Sequence, residues 1–247
     1  MRIGRVGARM SSCHGPEIQS AAVPAGSAGR VRIVYRAGDV GESGARALAA
    51  RLQAQDIAVD SRSVAHDAGA RAVVDAVRSA AKADTLVLWL RPGDLAVLAA
   101  VPPPAGQVYL SGGMANLDVA TLPSAWAEHA LISYPVDLPE QRRVRVDYAL
   151  AWFRIRRLPV VAEQVQVDTH LACGLVAETI KHMVDAFIPD YLVERLEDSV
   201  GHRVITGYYP RLALGPNQRI ASKGGYLVHL GPAGGPRLIP AGDWMTP

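Results

Sequence analysis

The sequence has 247 residues, of which 49% are hydrophobic and 20% are charged, and its formal net charge is +3. These values are typical of a globular protein with a sizeable core, and they exclude a collagen-like or highly charged disordered chain. No segment is long and apolar enough to predict a transmembrane helix. The arginines at 142–145 and 154–157 lack interleaved aromatic residues, so they predict a solvated helix face and not a nucleic-acid surface.

The first part of the chain, residues 1–30, has many Gly, Ala, Ser and Pro residues and no hydrophobic periodicity, which predicts a disordered segment. Its basic start is not followed by a continuous apolar stretch, so we identify no signal peptide. Ordered structure is expected from Val31 onwards.

From Val31 to Pro139, short apolar runs alternate with helical patterns. This alternation predicts an α/β fold with a parallel sheet and helices on both faces. Ligands of such folds bind at the carboxyl ends of the strands, so the loops at 36–44, 91–94, 111–116 and 134–139 are candidate binding loops. The predicted strands are Val31–Tyr35, Ile57–Val59, Thr85–Leu90, Val108–Leu110 and Ala130–Tyr134. The predicted helices are Glu42–Gln55, Ala68–Ala81 and Gly93–Ala100, with a turn or short helix at Leu122–Ala127.

The pattern changes after Pro139, where three helices are predicted and then a β-hairpin. Asp168 or Thr169 is expected to cap the second helix. The hairpin is predicted from Leu212–Leu214 and Gly225–Leu230, joined through a Gly215-Pro216 turn, and Gly231–Pro247 is predicted as a turn-rich tail. The predicted helices are Glu140–Arg157, Asp168–Phe187 and Asp190–Val200.

The order of four motifs resembles one protein family. These motifs are Ile33–Leu48, a strand that enters a glycine-bearing acidic loop and a helix; Ala83–Trp89; Leu110–Asn116; and the C-terminal pair Leu212–Arg219 and Gly224–Val228. In this order they resemble the second lobe of type I periplasmic binding proteins, the leucine/isoleucine/valine-binding class that serves ABC transporters. The stretch from Asp190 to Tyr226 resembles a bacterial subgroup of this family, and the whole resemblance covers Val31–Leu230.

The resemblance implies a division of the chain into parts of a two-lobed protein. Residues 31–139 would form the second lobe, residues 140–205 would be helices that pack on a first lobe, and residues 206–247 would return to the second lobe. The first lobe would precede Val31, so we expect an N-terminally truncated chain or a partner that supplies the missing lobe. The family is periplasmic, whereas the lack of a signal peptide predicts a cytoplasmic protein if the chain is complete.

The function implied by the resemblance is non-catalytic. The chain would be the substrate-binding component of an ABC transporter, which holds a small polar molecule (an amino acid, an amide or a small carboxylate) in an interlobe cleft and presents it to the permease, with no cofactor or metal. Half a cleft predicts weak or absent affinity for the isolated chain. The ligand contacts implied for this sequence are Arg91, Pro92, Ser111, Gly112, Gly113 and Tyr134.

Two of these positions bear on the ligand. Gly112 stands where amino-acid binders of the family place an acidic side chain for the ligand's ammonium group, so this chain departs from the family pattern there. Arg91 offers a cation that could hold a carboxylate through two hydrogen bonds, or it is a solvated charge at a strand end, and the sequence leaves both interpretations open.

Two other functions were weighed. A non-catalytic interaction module would associate with itself or a partner through an exposed apolar helix face containing Leu171, Leu175 and Ile180. A nucleotide-binding oxidoreductase is disfavoured because the loop Gly38–Gly44 does not match Gly-x-Gly-x-x-Gly. His170, Glu178 and His182 are not spaced as a metal site, and Cys173, within an apolar helical stretch, is expected to be a buried thiol.

Overall fold

The computed structural model describes residues 30–79, 85–104, 106–115, 122–183, 187–203, 205–214, 220–231 and 238–246. In this part of the chain seven strands form one sheet in the order β2-β1-β3-β4-β5-β6-β7. The first five strands are parallel, and β6 and β7 are antiparallel. The strands are β1 (Val31–Arg36), β2 (Val59–Val64), β3 (Thr85–Trp89), β4 (Val108–Ser111), β5 (Ala130–Tyr134), β6 (Tyr226–Leu230) and β7 (Leu238–Pro240).

Helices cover both faces of the sheet, so the predicted three-layer α/β fold is confirmed. On one face α1 packs Leu48 against Ile33 and Val87, and on the other Val73, Leu98 and Trp126 pack near Leu88. The continuous apolar run of β3 is buried along its whole length, as expected for a strand covered on both sides. The helices of these layers are α1 (Val40–Gln53), α2 (Ala70–Arg78), α3 (Pro92–Ala96), α4 (Gly112–Ala115) and α5 (Ser124–Ala127), with a 3-10 turn at Val97–Ala100.

The glycines of the loop after β1 have a packing role. A Cβ atom on Gly41 would lie 2.9 Å from the Cβ of Trp89, and one on Gly44 would lie 3.3 Å from its indole nitrogen. Gly38 adopts a φ of 73°, a conformation that favours glycine. This glycine pattern therefore brings α1 close to Trp89, which is a sufficient reason for it without a bound nucleotide.

The position of β2 differs from the prediction. We predicted a strand at Ile57–Val59, but β2 begins at Val59 and continues to Val64. It lies at the edge of the sheet, and Ser61, Arg62 and Ser63 are exposed. An edge strand does not need the apolar side chains that mark a buried one, so the pattern was too weak to detect.

Three long helices follow β5: α6 (Pro139–Ile155), α7 (Glu163–Lys181) and α8 (Pro189–Gly201). Proline at the first turn of α6 and of α8 lacks an N–H that would be unpaired there in any case. Because α7 begins at Glu163, the predicted cap at Asp168 or Thr169 is wrong. Cys173 on α7 is exposed, which contradicts the expected buried thiol. None of the helices in the described ranges combines the length and apolarity needed to cross a bilayer.

A C-terminal hairpin is present, but its two strands are not both the predicted ones. β6 matches the predicted second strand, and it pairs with β5 on one side and with β7 on the other. Leu212–Leu214 is not a strand, although the Ala213 N–H donates a hydrogen bond to the Ala221 carbonyl. The predicted tail contains β7. Residues 1–29 of the predicted disordered segment lie outside the described residues, as do Ala81, Ala83, Asp84, Asn116, Gly215–Arg219 and Pro247.

The chain passes between the sheet and the long helices at residues 135–138 and 205–212, and a polar cluster joins these passes. Arg142, on α6, is only 8% exposed. It donates hydrogen bonds to the Tyr134 hydroxyl and to the Asp137 carbonyl. Its guanidinium lies 4.3 Å from the centroid of the Tyr208 ring. The Asp137 N–H donates to the Tyr208 carbonyl at 2.8 Å. We call these residues, with Arg145, the crossing network. Our expectation that the arginines of α6 form a solvated face is wrong for Arg142.

Candidate ligand-binding site

The strand order places a crevice at the carboxyl ends of β1 and β3, because the chain leaves these adjacent strands in opposite directions across the sheet. Arg36, the last residue of β1, forms two hydrogen bonds to Asp94 of α3, at 2.8 and 2.6 Å, and both side chains are buried. It also donates to the carbonyls of Ala65, His66 and Ala68. This ion pair therefore fixes the β2–α2 loop against the start of α3.

Arg91, a predicted ligand contact, lies beside this ion pair and already has a carboxylate partner. Its Nε donates to Asp39 Oδ2 at 2.6 Å, and its Nη2 lies 3.2 Å from Nδ1 of His66. Burial disfavours the charge on Asp39, but hydrogen bonds from Arg91 and the Val40 N–H outweigh it and lower the Asp39 pKa. A ligand carboxylate at Arg91 would therefore have to compete with an ionised Asp39.

The other predicted contacts lie at neighbouring strand ends. Pro92 occupies the first turn of α3 beside Arg91, and the Ser111 hydroxyl accepts a hydrogen bond from the Met114 N–H. A Cβ on Gly112 would lie 2.2 Å from the Ser133 carbonyl oxygen, so glycine is needed there for close packing on β5. Gly113 is exposed at the wall of a pocket. Tyr134 is buried, with its hydroxyl engaged by Arg142.

This pocket has a volume of about 500 Å³ and lies between the carboxyl edge of the sheet and α7. Its sheet side comes from the segments after β1, β4 and β5, and its other side from α7, the end of α8 and residues 209–212 and 220–222. We call it the edge pocket. Among the described residues its wall includes Val40, Gly113, Met114, Pro135, Val136, Gln164, Asp168, Leu171, Ala172, Leu175, Val200, Tyr209, Leu212, Ile220, Ala221 and Ser222.

A carboxylate with a free oxygen lies in the wall of the edge pocket. Asp168 Oδ2 accepts a hydrogen bond from the Tyr209 hydroxyl at 3.1 Å, whereas Oδ1 is buried and has no hydrogen-bond partner among the described residues. Burial raises the pKa of Asp168, although Tyr209 and the nearby Gln164 side chain oppose the shift. Burial, with the charge of Asp168, raises the pKa of Tyr209 to about 12, so Tyr209 remains a hydrogen-bond donor.

Ser222 gives the pocket a second unsatisfied polar atom, because its Oγ is buried and has no partner in the described part of the chain. Buried polar atoms are normally paired, so two such atoms in one pocket wall need an explanation, and a bound ligand supplies one. The sequence analysis did not identify Asp168, Tyr209 or Ser222 as site residues. Gln164, Asp168 and Ala172 are spaced four residues apart on α7, so they share one face of the helix. The sequence analysis could have predicted this shared face if it had placed the start of α7 correctly.

A second cavity, of about 560 Å³, lies between α6, α7 and α8 on the opposite side of Leu171 and Leu175. Its wall is more polar, and Arg203 pairs there with Glu178, and Arg145 with Asp137. The Nε atoms of Arg195 and Arg203 in this wall are also buried without a hydrogen-bond partner among the described residues. It is also remote from the strand ends where α/β sheets bind ligands. The edge pocket is therefore the better candidate. Within the described ranges, no three His, Cys, Asp or Glu side chains are grouped to hold a metal ion.

No protein-family model and no curated protein matches this sequence. Solved structures do match. A substrate-binding periplasmic protein from Ralstonia solanacearum aligns over 91% of this chain with a TM-score of 0.61 and 15% sequence identity. A protein assigned to a branched-chain amino acid ABC transporter of Rhodospirillum rubrum aligns over 88% with a TM-score of 0.57, also at 15% identity. A fatty acid ABC transporter substrate-binding protein from Thermomonospora curvata aligns over 89% with a TM-score of 0.57 and 14% identity.

The match covers only part of these proteins, since this chain spans 65% of the Ralstonia protein, 60% of the Rhodospirillum protein and 58% of the Thermomonospora protein. Their named ligands also differ, so the shared feature is the backbone fold and not one specificity. The resemblance identified from the sequence motifs is supported at this level. The mixed α/β chain, with its mostly parallel seven-stranded sheet, has the fold of type I periplasmic binding proteins.

Proposed function

We propose that this chain is a non-catalytic, small-molecule-binding unit of the substrate-binding type, and that the edge pocket is its ligand site. The observation that carries the proposal is the buried, unpartnered Asp168 Oδ1 in the wall of a 500 Å³ pocket at the carboxyl edge of a parallel sheet. Pockets of this size and position commonly hold small ligands. A few polar groups amid mostly apolar side chains suit the orientation of a ligand more than bond-making chemistry.

The edge pocket changes our expectation of half a cleft. α7 and residues 209–212 and 220–222 supply a second wall opposite the strand ends, so the chain can enclose part of a ligand by itself. We therefore propose measurable binding by this chain, weaker than in a pocket closed on all sides because less ligand surface is buried.

We extend the proposal to the complete protein by analogy with the matched folds. The unit would deliver its ligand to an ABC permease in the periplasm. Residues 31–139 and 206–247 would form the second lobe, and the helices of 140–205 would pack on a first lobe. Gly113 would contact the ligand directly. Arg91, Pro92, Ser111, Gly112 and Tyr134 would shape the strand ends around it.

Filling the pocket tests the proposal. Ala172→Trp would place an indole in the wall of the edge pocket, whereas Ala177→Trp would place the same group on an exposed part of α7 that lines neither cavity. Small polar and amphipathic compounds would be screened by ligand-observed NMR, which detects weak binding. We expect compounds that bind the wild type and Ala177→Trp to lose binding to Ala172→Trp. Equal binding to all three proteins would refute the edge pocket as the site.

An interaction module is the second candidate, and one observation favours it. Large apolar side chains are exposed on α6 and around α7, among them Val144 at 74%, Ile155 at 80%, Val161 at 85% and Val165 at 66%. A patch of this kind is typical of a surface that another protein covers. Sedimentation velocity over a range of protein concentrations tests this function, because a monomer at every concentration would count against self-association through this face.

A further inference from the structure

We infer that the edge pocket takes a small organic cation, a protonated amine with an apolar body, and that it disfavours a ligand carboxylate. The inference rests on the proposed function of this pocket and specifies the class of its ligand. It differs from the amino acid or small carboxylate that the sequence resemblance implies.

The charges of the pocket wall support this ligand class. Among the described residues that line it, the ionisable groups are Asp168 and Tyr209, and none is Lys, Arg or His. Since Tyr209 stays protonated at neutral pH, the described part of the wall offers one anion and no cation. A carboxylate transferred into such a wall loses hydration without gaining a counter-ion, which is strongly unfavourable.

Asp168 is arranged to receive a donor. Its Oδ2 accepts a hydrogen bond from Tyr209, which fixes the carboxylate, and its Oδ1 is buried without a hydrogen-bond partner among the described residues, so a ligand N–H that reaches it would satisfy it. A charge-assisted hydrogen bond from an ammonium group would satisfy this oxygen and would reverse the burial effect that raises the Asp168 pKa. The Ser222 hydroxyl, which also lacks a partner among the described residues, can accept a hydrogen bond from a ligand N–H.

The place where a ligand anion would otherwise bind is already occupied. Val40, in the pocket wall, is the first residue of α1, and a helix of this length attracts anions to its N-terminus. Here the Val40 N–H donates to Asp39 Oδ1 at 2.9 Å, and the Gly38 N–H donates to Glu42 Oε2 at 2.7 Å. Two carboxylates of the chain therefore take these donors, and Asp39 stays ionised because hydrogen bonds lower its pKa.

The rest of the wall suits an apolar body. Val136, Leu171 and Leu175 lie on the described wall with Leu212 and Ile220, between the strand ends and α7. Burying a branched alkyl chain against such side chains is favourable because it removes apolar surface from water. A ligand with a charged head at Asp168 and a hydrocarbon body along these residues matches both features.

Four probes with the same branched body separate the classes: 3-methylbutylamine, 3-methylbutanol, 3-methylbutanoate and leucine. Binding to the full chain would be measured by ligand-observed NMR and calorimetry at pH 7. We expect the amine to bind most tightly, and Asp168→Asn to weaken it by about tenfold or more, the loss expected for a hydrogen bond to a charged group. Asp147→Asn, an exposed change on α6, should leave its affinity unchanged.

A pH series on the wild type gives a second test that needs no variant. As pH falls through the raised pKa of Asp168, amine affinity should fall, whereas the affinity of the alcohol should stay constant. The inference would be overturned if leucine or 3-methylbutanoate bound as tightly as the amine, or if Asp168→Asn did not weaken amine binding. In either case, loss of the observed binding in Ala172→Trp would mean that the pocket is the site and that only the ligand class is wrong. Ligand binding that Ala172→Trp does not affect would refute the pocket itself.

Discussion

The ion pair between Arg36 and Asp94 shows how burial increases the cost in stability of removing one partner. Their side chains are 7% and 9% exposed and share two hydrogen bonds, so neutralising Asp94 leaves a buried guanidinium without its counter-ion. We expect Asp94→Asn to lower the free energy of unfolding by about 3 kcal/mol. Asp75→Asn removes the exposed partner of Arg71 and should change it by less than about 0.5 kcal/mol. Urea denaturation of both variants measures the contrast, and equal losses would contradict it.

Asp168 gives a stability prediction of opposite sign, because burial raises its pKa above the ordinary value of 3.8. A carboxyl group with a raised folded-state pKa binds more protons in the folded than in the unfolded protein. Its ionisation therefore lowers stability as pH rises from about 3.8 through the raised pKa. In the absence of ligand, we expect the wild type to lose stability over this range relative to Asp168→Asn.

Denaturation curves of these two proteins at several pH values provide the measurement. A stability difference that does not change with pH would contradict the raised pKa. A site residue that costs stability in the empty protein and improves ligand binding is a known compromise in functional sites.

The sequence correctly predicted which residues lie at the ends of strands, but it did not predict their contacts. Arg91 was correctly expected just after a strand end, but its partner Asp39 lies 52 positions earlier, and no local pattern reveals that contact. Asp168 was interpreted as a helix cap because the apolar spacing before it was weak. Its pairing with Tyr209, 41 positions later, depends on the second pass of the chain.

Among the secondary-structure elements, the turn from β4 into α4 is tightly constrained by close packing. Gly112→Ala would bring a Cβ to 2.2 Å from a backbone oxygen of β5, so one of the two strands must move. We expect a loss of about 1–3 kcal/mol, the range for overpacking a core. Gly93→Ala in α3 meets nothing within 4 Å and should be neutral or slightly stabilising. Thermal unfolding of both variants tests this, and a stable Gly112→Ala protein would show that the turn has room to adjust.

Strands that are buried on both faces of the sheet were predicted more accurately than strands at its edges. The strand Ala130–Tyr134 was predicted with its observed limits, and β1 and β3 to within one residue, because continuous apolar runs mark strands covered on both faces. The edge strand β2 and the short β7 were misplaced or missed, since neither needs such a run. α7 was predicted too far along the chain because its first turns carry few apolar residues.

At the scale of the whole molecule, the crossing network joins the sheet to the long helices. Arg142→Met keeps an apolar stem but removes the hydrogen bonds to Tyr134 and Asp137 and the cation–π contact with Tyr208. We expect a loss of about 3 kcal/mol in the free energy of unfolding. The neighbouring Arg143 is exposed, so Arg143→Met should change it by no more than about 0.5 kcal/mol. Similar urea midpoints for the two variants would mean that Arg142 contributes little.

The fold class could be predicted from the sequence because alternating strands and helices leave few arrangements of a parallel sheet. The edge pocket could not be predicted, because it forms where α7 and residues 209–212 and 220–222 meet the ends of β1, β4 and β5. Those contacts join residues that are far apart in the sequence. They depend on the directions in which the chain passes between the sheet and the long helices at residues 135–138 and 205–212.

Arg142 contacts both connections between the two walls of the pocket, since it holds Asp137 on the first pass and Tyr208 on the second. Any tilt of α7 away from the strand ends must therefore flex the two connections together about a common axis near this guanidinium. Sideways sliding of one wall along the other would break these bonds and is opposed. The mouth of the pocket can thus widen to admit a molecule and narrow again with Asp168 returning to the same register against the strand ends.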